Sequence, residues 1–191
     1  GIYGIYSIGN FGFFCWVFSV VDGYEDRRNN GSDFKSIEVG GKKMKFLVLG
    51  ASGMAGHVVS IYLKERGHKV VGFSRRKVGF VESIAGDAKN CEMVLGIITA
   101  GHFDAVVNLV GILNQSAERK REEAVFLNGY FPHFLAKATE MMETQIIHIS
   151  TDCVFSGHTG PYMENALQDG ETFYDRSKAI GELNDDKNIT L

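Results

Sequence analysis

From residue 44 onward the chain alternates between two hydrophobic patterns. Short apolar runs, of the kind that form strands buried on both faces of a parallel sheet, occupy 46–49, 69–73, 81–84 and 145–149. A further run over 104–111 closes on Asn108 and Gly111. Between these runs apolar residues return at helical spacing. Val58, Val59, Ile61, Tyr62 and Leu63 predict a helix that stops at Gly67, and 93–100 predicts another. Residues 118–142 predict one long helix or two abutting ones, with Pro132 marking a break or a first helical position. After a loop at 157–170 a helix is expected over 173–183, and 189–191 reads as the opening of a sixth strand. This order fits an α/β domain, a doubly wound parallel sheet with right-handed helical crossovers.

Residues 1–43 depart from the alternation. The first 21 are apolar and aromatic and long enough to suggest a membrane span, but glycines and scattered polar residues interrupt them. A basic leader and a small-residue cleavage site are missing, so this is a poor signal peptide. Residues 22–43 are polar and carry an Asn29-Asn30-Gly31-Ser32 loop signal. The chain does not begin with methionine, whereas Met44 stands directly before the first strand. The expectation is that 1–43 is an extension outside the domain, translated from upstream sequence. A membrane anchor is the alternative reading.

Composition narrows the setting. At 191 residues, 45% of them hydrophobic and 23% charged, the chain can bury the core of one globular domain. A net charge of −3 gives no reason to expect nucleic acid or an anionic membrane as a partner. Cys15, Cys91 and Cys153 are far apart and one must stay unpaired, which favours reduced thiols in a cytoplasm. His102, His133 and His158 show no metal-ligand spacing, so no metal is expected.

The first strand runs into Gly50, Gly53 and Gly56, and a helix follows. Strand, glycine turn and helix make a dinucleotide-binding unit. Gly50 permits the tight turn, Gly53 lets the backbone approach a pyrophosphate, and Gly56 lets the helix pack on the strand. The second strand ends at Ser74-Arg75-Arg76, where an acidic residue would accept from the ribose hydroxyl of NAD. Arginines there offer charge to a 2′-phosphate, so NADP (as NADPH) is expected and NAD is the alternative.

Tyr174 and Lys178 are four residues apart and share one helix face. An ammonium beside a phenol lowers the phenol's pKa, and such a tyrosine can exchange a proton with a carbonyl or alcohol oxygen. Thr151, at the end of the fifth strand, can hold the same oxygen. Beside a nicotinamide these groups fit hydride transfer between an alcohol and a ketone. Alone, Tyr-x-x-x-Lys would be an ordinary surface pair; it gains weight from the glycine turn upstream. Cys153 and His148 read as packing residues.

Five motifs now stand together: Gly50-x-x-Gly53-x-x-Gly56, Gly86-Asp87, Asn108-Leu-Val-Gly111, Ser150-Thr-Asp-Cys-Val-Phe-Ser-Gly157 and Tyr174-x-x-x-Lys178. With them the chain resembles an extended short-chain dehydrogenase/reductase, and within that superfamily the dTDP-4-dehydrorhamnose reductase family. Tyr162-x-Glu164 is similar to a Tyr-x-Glu of the family's loop after the fifth strand. The resemblance implies a Rossmann-like NAD(P)-binding domain over 44–191, truncated in or after the sixth strand, with the C-terminal substrate domain absent. It implies catalytic roles for Thr151, Tyr174 and Lys178. Cofactor contacts are implied for Gly50, Ser52, Gly53, Met54, Gly56, Arg75 and Asp87, the last near the adenine. Asn108, Gly111, Tyr174 and Lys178 complete that set.

The activity so implied is NADPH-dependent reduction of a 4-keto-6-deoxy nucleotide sugar in surface-polysaccharide precursor synthesis, by a cytoplasmic protein that could form a homodimer. As a fragment, the chain is expected to turn over little substrate. Related nucleotide-sugar dehydratases carry glutamate where this chain has Cys153, so elimination is not expected. Asp175 follows the tyrosine where glycine is common in the superfamily, which leaves the subfamily open. The alternatives are a nucleotide-sugar epimerase and a non-catalytic nucleotide-binding subunit, such as the regulatory subunit of methionine adenosyltransferase.

Overall fold

Each apolar run is a strand. A computed structural model describes residues 43–163 and 165–191. Of these, 43–160 and 165–191 form one compact unit. The elements are β1 (Lys45–Leu49), α1 (Met54–Glu65), β2 (Lys69–Ser74), β3 (Glu82–Ala85), α2 (Cys91–Gly101), β4 (Ala105–Asn108), α3 (Asn114–Arg119) and α4 (Arg121–Ala124). A π-helical segment (Val125–Tyr130), α5 (Phe131–Ala138), β5 (Gln145–His148), α6 (Phe173–Ile180) and β6 (Ile189–Thr190) follow. The proposed upstream extension and membrane span at 1–42, and Glu164 of the Tyr-x-Glu motif, lie outside the described residues. Among the described residues no helix is long and apolar enough to cross a membrane.

The six strands are all parallel and lie in the order β3-β2-β1-β4-β5-β6. The order reverses between β1 and β4, and open α/β sheets place ligands in the crevice beyond the strand ends at that point. Right-handed crossovers put α1 on one face and the later helices on the other. On the latter face Leu47, Leu49, Phe73, Val106 and Ile146 pack with Val94 and Ile98 of α2, Leu127 of the π-helical segment, and Phe131 and Leu135 of α5. Asn108 and His148 sit in register within this layer, both fully buried.

Several boundaries differ from the expected ones, each for a local reason. The fourth strand stops at Asn108 because its side-chain Oδ1 accepts from the Val110 N–H at 3.2 Å and turns the chain out of the ladder. The stretch expected as one or two helices over 118–142 is instead α3, α4, a π-helical turn and α5 in succession. Pro132 has no N–H for the carbonyl of Asn128 four residues earlier, and a widened turn absorbs the loss. The last helix ends at Ile180 rather than at 183, with Gly181 as its C-cap. A Cβ at Gly181 would lie 1.8 Å from the Asn128 carbonyl oxygen, so the end of α6 packs directly on that turn.

Candidate active site

The glycine turn is built for close approach. Gly50 has φ +86°, a conformation open to glycine, and its N–H donates to the Phe73 carbonyl at 2.8 Å. A Cβ at Gly56 would lie 2.1 Å from the Gly50 carbonyl oxygen, so α1 starts in contact with the end of β1. Gly53 is the N-cap of α1, no side chain caps the helix, and its first turn holds no acidic residue. Among the described residues no side chain takes the N–H groups at that end, a setting that suits an anion. Ser52, Gly53 and Met54 are exposed there.

The neighbouring strand ends carry the other predicted contacts. Arg75 and Arg76 are exposed just past β2, in a turn held by Ser74 Oγ donating to the Arg76 carbonyl at 2.7 Å. Asp87 is exposed, and its Oδ1 accepts from the Lys89 N–H at 2.9 Å. Asn108 departs from expectation. It is fully buried, and its Nδ2 faces His148 Nδ1 at 3.1 Å while Oδ1 holds the Val110 N–H. Its side chain is thus closed to a ligand and shapes the 109–111 loop instead. In that loop, a Cβ at Gly111 would meet Asn128 Oδ1 at 3.0 Å.

Thr151, Tyr174 and Lys178 come together where β5 meets α6. Helix α6 is set by a capping box: Thr172 Oγ1 accepts from the Asp175 N–H at 3.1 Å, and Asp175 Oδ2 accepts from the Thr172 N–H at 2.9 Å. Asp175, unexplained by the family pattern, thereby has a structural role that its Thr-x-x-Asp spacing could have announced. One helical turn apart, Tyr174 and Lys178 are both almost fully buried. Lys178 Nζ donates to the Ile149 carbonyl at 2.6 Å.

The electrostatics correct one expectation. Burial pushes the Tyr174 phenol up, a hydrogen bond with Thr151 offsets part of this, and Cys153, Asp175 and Asp152 add to the rise. The expected net lowering is not what this geometry gives, because burial is the largest influence on the phenol and raises it. Burial brings Lys178 itself down to about 8, against an opposing pull from Glu182. Both groups remain in their protonated forms at neutral pH.

A cleft of about 520 Å³ is lined by Cys153 and Asp175, sequence neighbours of the Thr151 and Tyr174 positions, with Glu118, Phe155, His158 and Glu171. Cys153 is exposed there, not packed as expected. His148 is packed as expected, although as a polar group. Among the described residues no group of His, Cys, Asp or Glu could hold a metal ion.

The sequence reading missed Asn128. Its Oδ1 accepts from the Ile112 N–H at 2.8 Å, and its Nδ2 donates to the Ile112 carbonyl at 2.9 Å and to Ser177 Oγ at 3.0 Å. An asparagine four residues before a proline in a helical pattern was the available signal.

Known proteins resemble this chain in sequence and fold. A family model described as the RmlD substrate binding domain matches residues 44–188. The chain is 30% identical over 142 residues to the spore coat polysaccharide biosynthesis protein SpsK of Bacillus subtilis, covering 72% of this chain and 47% of that protein. It is 27% identical over 158 residues to the dTDP-4-dehydrorhamnose reductase of Mycolicibacterium smegmatis, covering 81% of this chain and 45% of the relative. A crystal structure of a hypothetical dTDP-4-dehydrorhamnose reductase from Sulfolobus tokodaii superposes with a TM-score of 0.69 at 28% identity, over 77% of this chain and 54% of that one. The chain spans about half the length of the curated relatives it matches. With the glycine turn, the parallel sheet and a match running from Met44 to Asn188, the chain belongs to the RmlD family, the dTDP-4-dehydrorhamnose reductase branch of the extended short-chain dehydrogenases/reductases.

Proposed function

We propose that this chain is the dinucleotide-binding part of an NADPH-dependent reductase of a 4-keto-6-deoxy nucleotide sugar. The observation that carries the reading is the meeting of Thr151, Tyr174 and Lys178 at the β5 end of a sheet whose β1 end carries an uncapped helix N-terminus. The start of α1, which Gly56 sets directly against the end of β1 and which has no side-chain cap or acidic residue in its first turn, suits a pyrophosphate, and Arg75 and Arg76 suit a 2′-phosphate.

A bound nicotinamide would supply the hydride. Tyr174, held protonated by its buried setting, would give its proton to the oxygen of the ketone. Thr151 would hold that oxygen, and the Lys178 ammonium would favour the phenolate left behind. Cys153 stands where a dehydratase-like carboxylate would be needed, which supports reduction without elimination.

The test is consumption of NADPH by the complete open reading frame in the presence of a dTDP-4-keto-6-deoxyhexose. Tyr174→Phe should lower kcat by about 10²–10⁴-fold with cofactor affinity retained. Equal turnover by the variant would remove Tyr174 as the proton donor. Tight NADPH binding without reduction of any keto-sugar would favour the non-catalytic subunit.

A further inference from the structure

We propose that Glu182 is a positioning residue of this site, holding the strand end that carries Thr151 against the helix that carries Tyr174 and Lys178. Its Oε1 accepts from Ser150 Oγ at 2.5 Å, and its Oε2 accepts from Gln168 Nε2. Ser150 directly precedes Thr151. Lys178, one turn earlier, donates to the carbonyl of Ile149 at 2.6 Å. Two groups a helical turn apart therefore hold two consecutive residues at the exit of β5. On its other side Gln168 leads into Asp169, whose carboxylate accepts from the Ser156 N–H and Oγ, each at 2.7 Å. Glu182 thus joins the β5 exit, the loop before α6 and the end of α6.

An acidic residue just past a helix C-terminus is opposed by the helix dipole. Helix stability therefore does not account for it, whereas the bonds to Ser150 and Gln168 do. The carboxylate also lies close enough to oppose the loss of the Lys178 charge. Tyr174 lies one turn earlier on the same helix, His148 from β5 senses this ammonium, and His133 on α5, whose Nε2 meets the Ile180 carbonyl at 2.7 Å, in turn acts on His148. Asp152 faces Tyr174 from the turn after β5. A glutamine at 182 could still accept from Ser150, but its amide would face that of Gln168, and the charge would be gone.

The proposal rests on the reductase reading only in its activity arm. In the 191-residue chain, carrying lysine labelled with ¹³C at Cε, Glu182→Gln should lower the titration midpoint of Lys178 and shift the Thr151 amide resonance. Ser150→Ala should shift the Thr151 resonance and leave the Lys178 midpoint in place. In the complete protein Glu182→Gln should cut kcat about tenfold, leave KM for NADPH unchanged and bring the alkaline limb of the kcat profile to lower pH. Glu182→Asp, which keeps the charge, should restore that limb. An unchanged Lys178 midpoint together with an unmoved Thr151 resonance in folded Glu182→Gln would overturn the assignment. If the wild-type protein reduced no keto-sugar, the reductase reading would fall while the resonance measurements still decided the role of Glu182.

Discussion

Asn128 in the π-helical turn and Ser177 in α6 are joined by a 3.0 Å hydrogen bond in the buried interior, one residue before Lys178. The same asparagine holds both the N–H and the carbonyl of Ile112, so one side chain fixes the loop after β4 and the helix carrying Tyr174. Asn128→Ala would leave these groups buried and short of partners. It should destabilise the fold by about 2–4 kcal/mol, read as a lower urea midpoint with an unchanged slope.

Two glycines should respond oppositely to the same change. Gly56→Ala drives a methyl to within 2.8 Å of the Ala51 Cα as well as into the Gly50 carbonyl. Loss of about 3 kcal/mol of stability is expected, along with loss of dinucleotide binding. Gly96 lies inside α2 with open space around it. Gly96→Ala should raise stability by up to about 1 kcal/mol, and thermal melts of the pair provide the comparison.

His148 makes acid stability distinctive. Burial and the Lys178 ammonium hold its imidazole down to about 3, with Asn108 offsetting part of the shift. The unfolded chain takes up a proton at this residue below pH of about 6.5, but the folded chain does not until about 3. The unfolded state binds more protons in that window, so stability falls as pH falls through it. Chemical unfolding at a series of pH values should show a slope approaching one proton from this site, which His148→Leu removes. An equal slope in the variant would assign the proton uptake to other groups.

On the proposed function, cofactor choice would rest on the exposed end of β2. Arg75→Ala should weaken NADPH binding about tenfold while leaving NADH nearly unchanged, as measured by fluorescence titration. An equal loss for both nucleotides would place Arg75 away from the 2′-phosphate.

Much of the fold follows from local pattern. Unbroken apolar runs such as 46–49 need burial on both faces, and with helical stretches between them only a parallel sheet buries them all. The glycine turn was legible for a similar reason: a strand, three spaced glycines and a helix are contiguous, and their geometry is local. Contact across distance was not legible. Spacing alone placed Tyr174 and Lys178 on one face, but the burial that raises the phenol, and the Ile149 carbonyl that receives the ammonium, are delivered by other segments. Pro132 announced a disturbance, yet neither its form as a widened turn nor the close packing of Gly181 on that turn at Asn128 was visible in the local pattern. Cys153 read as apolar from its neighbours and is exposed because β5 ends five residues earlier, at His148. By itself the sequence determined which segments are strands, which turn sets a helix start against the end of β1 and which residue types could do the chemistry. The tertiary structure decided what each side chain touches, and hence its charge state, because desolvation and hydrogen bonding depend on segments far apart in the chain.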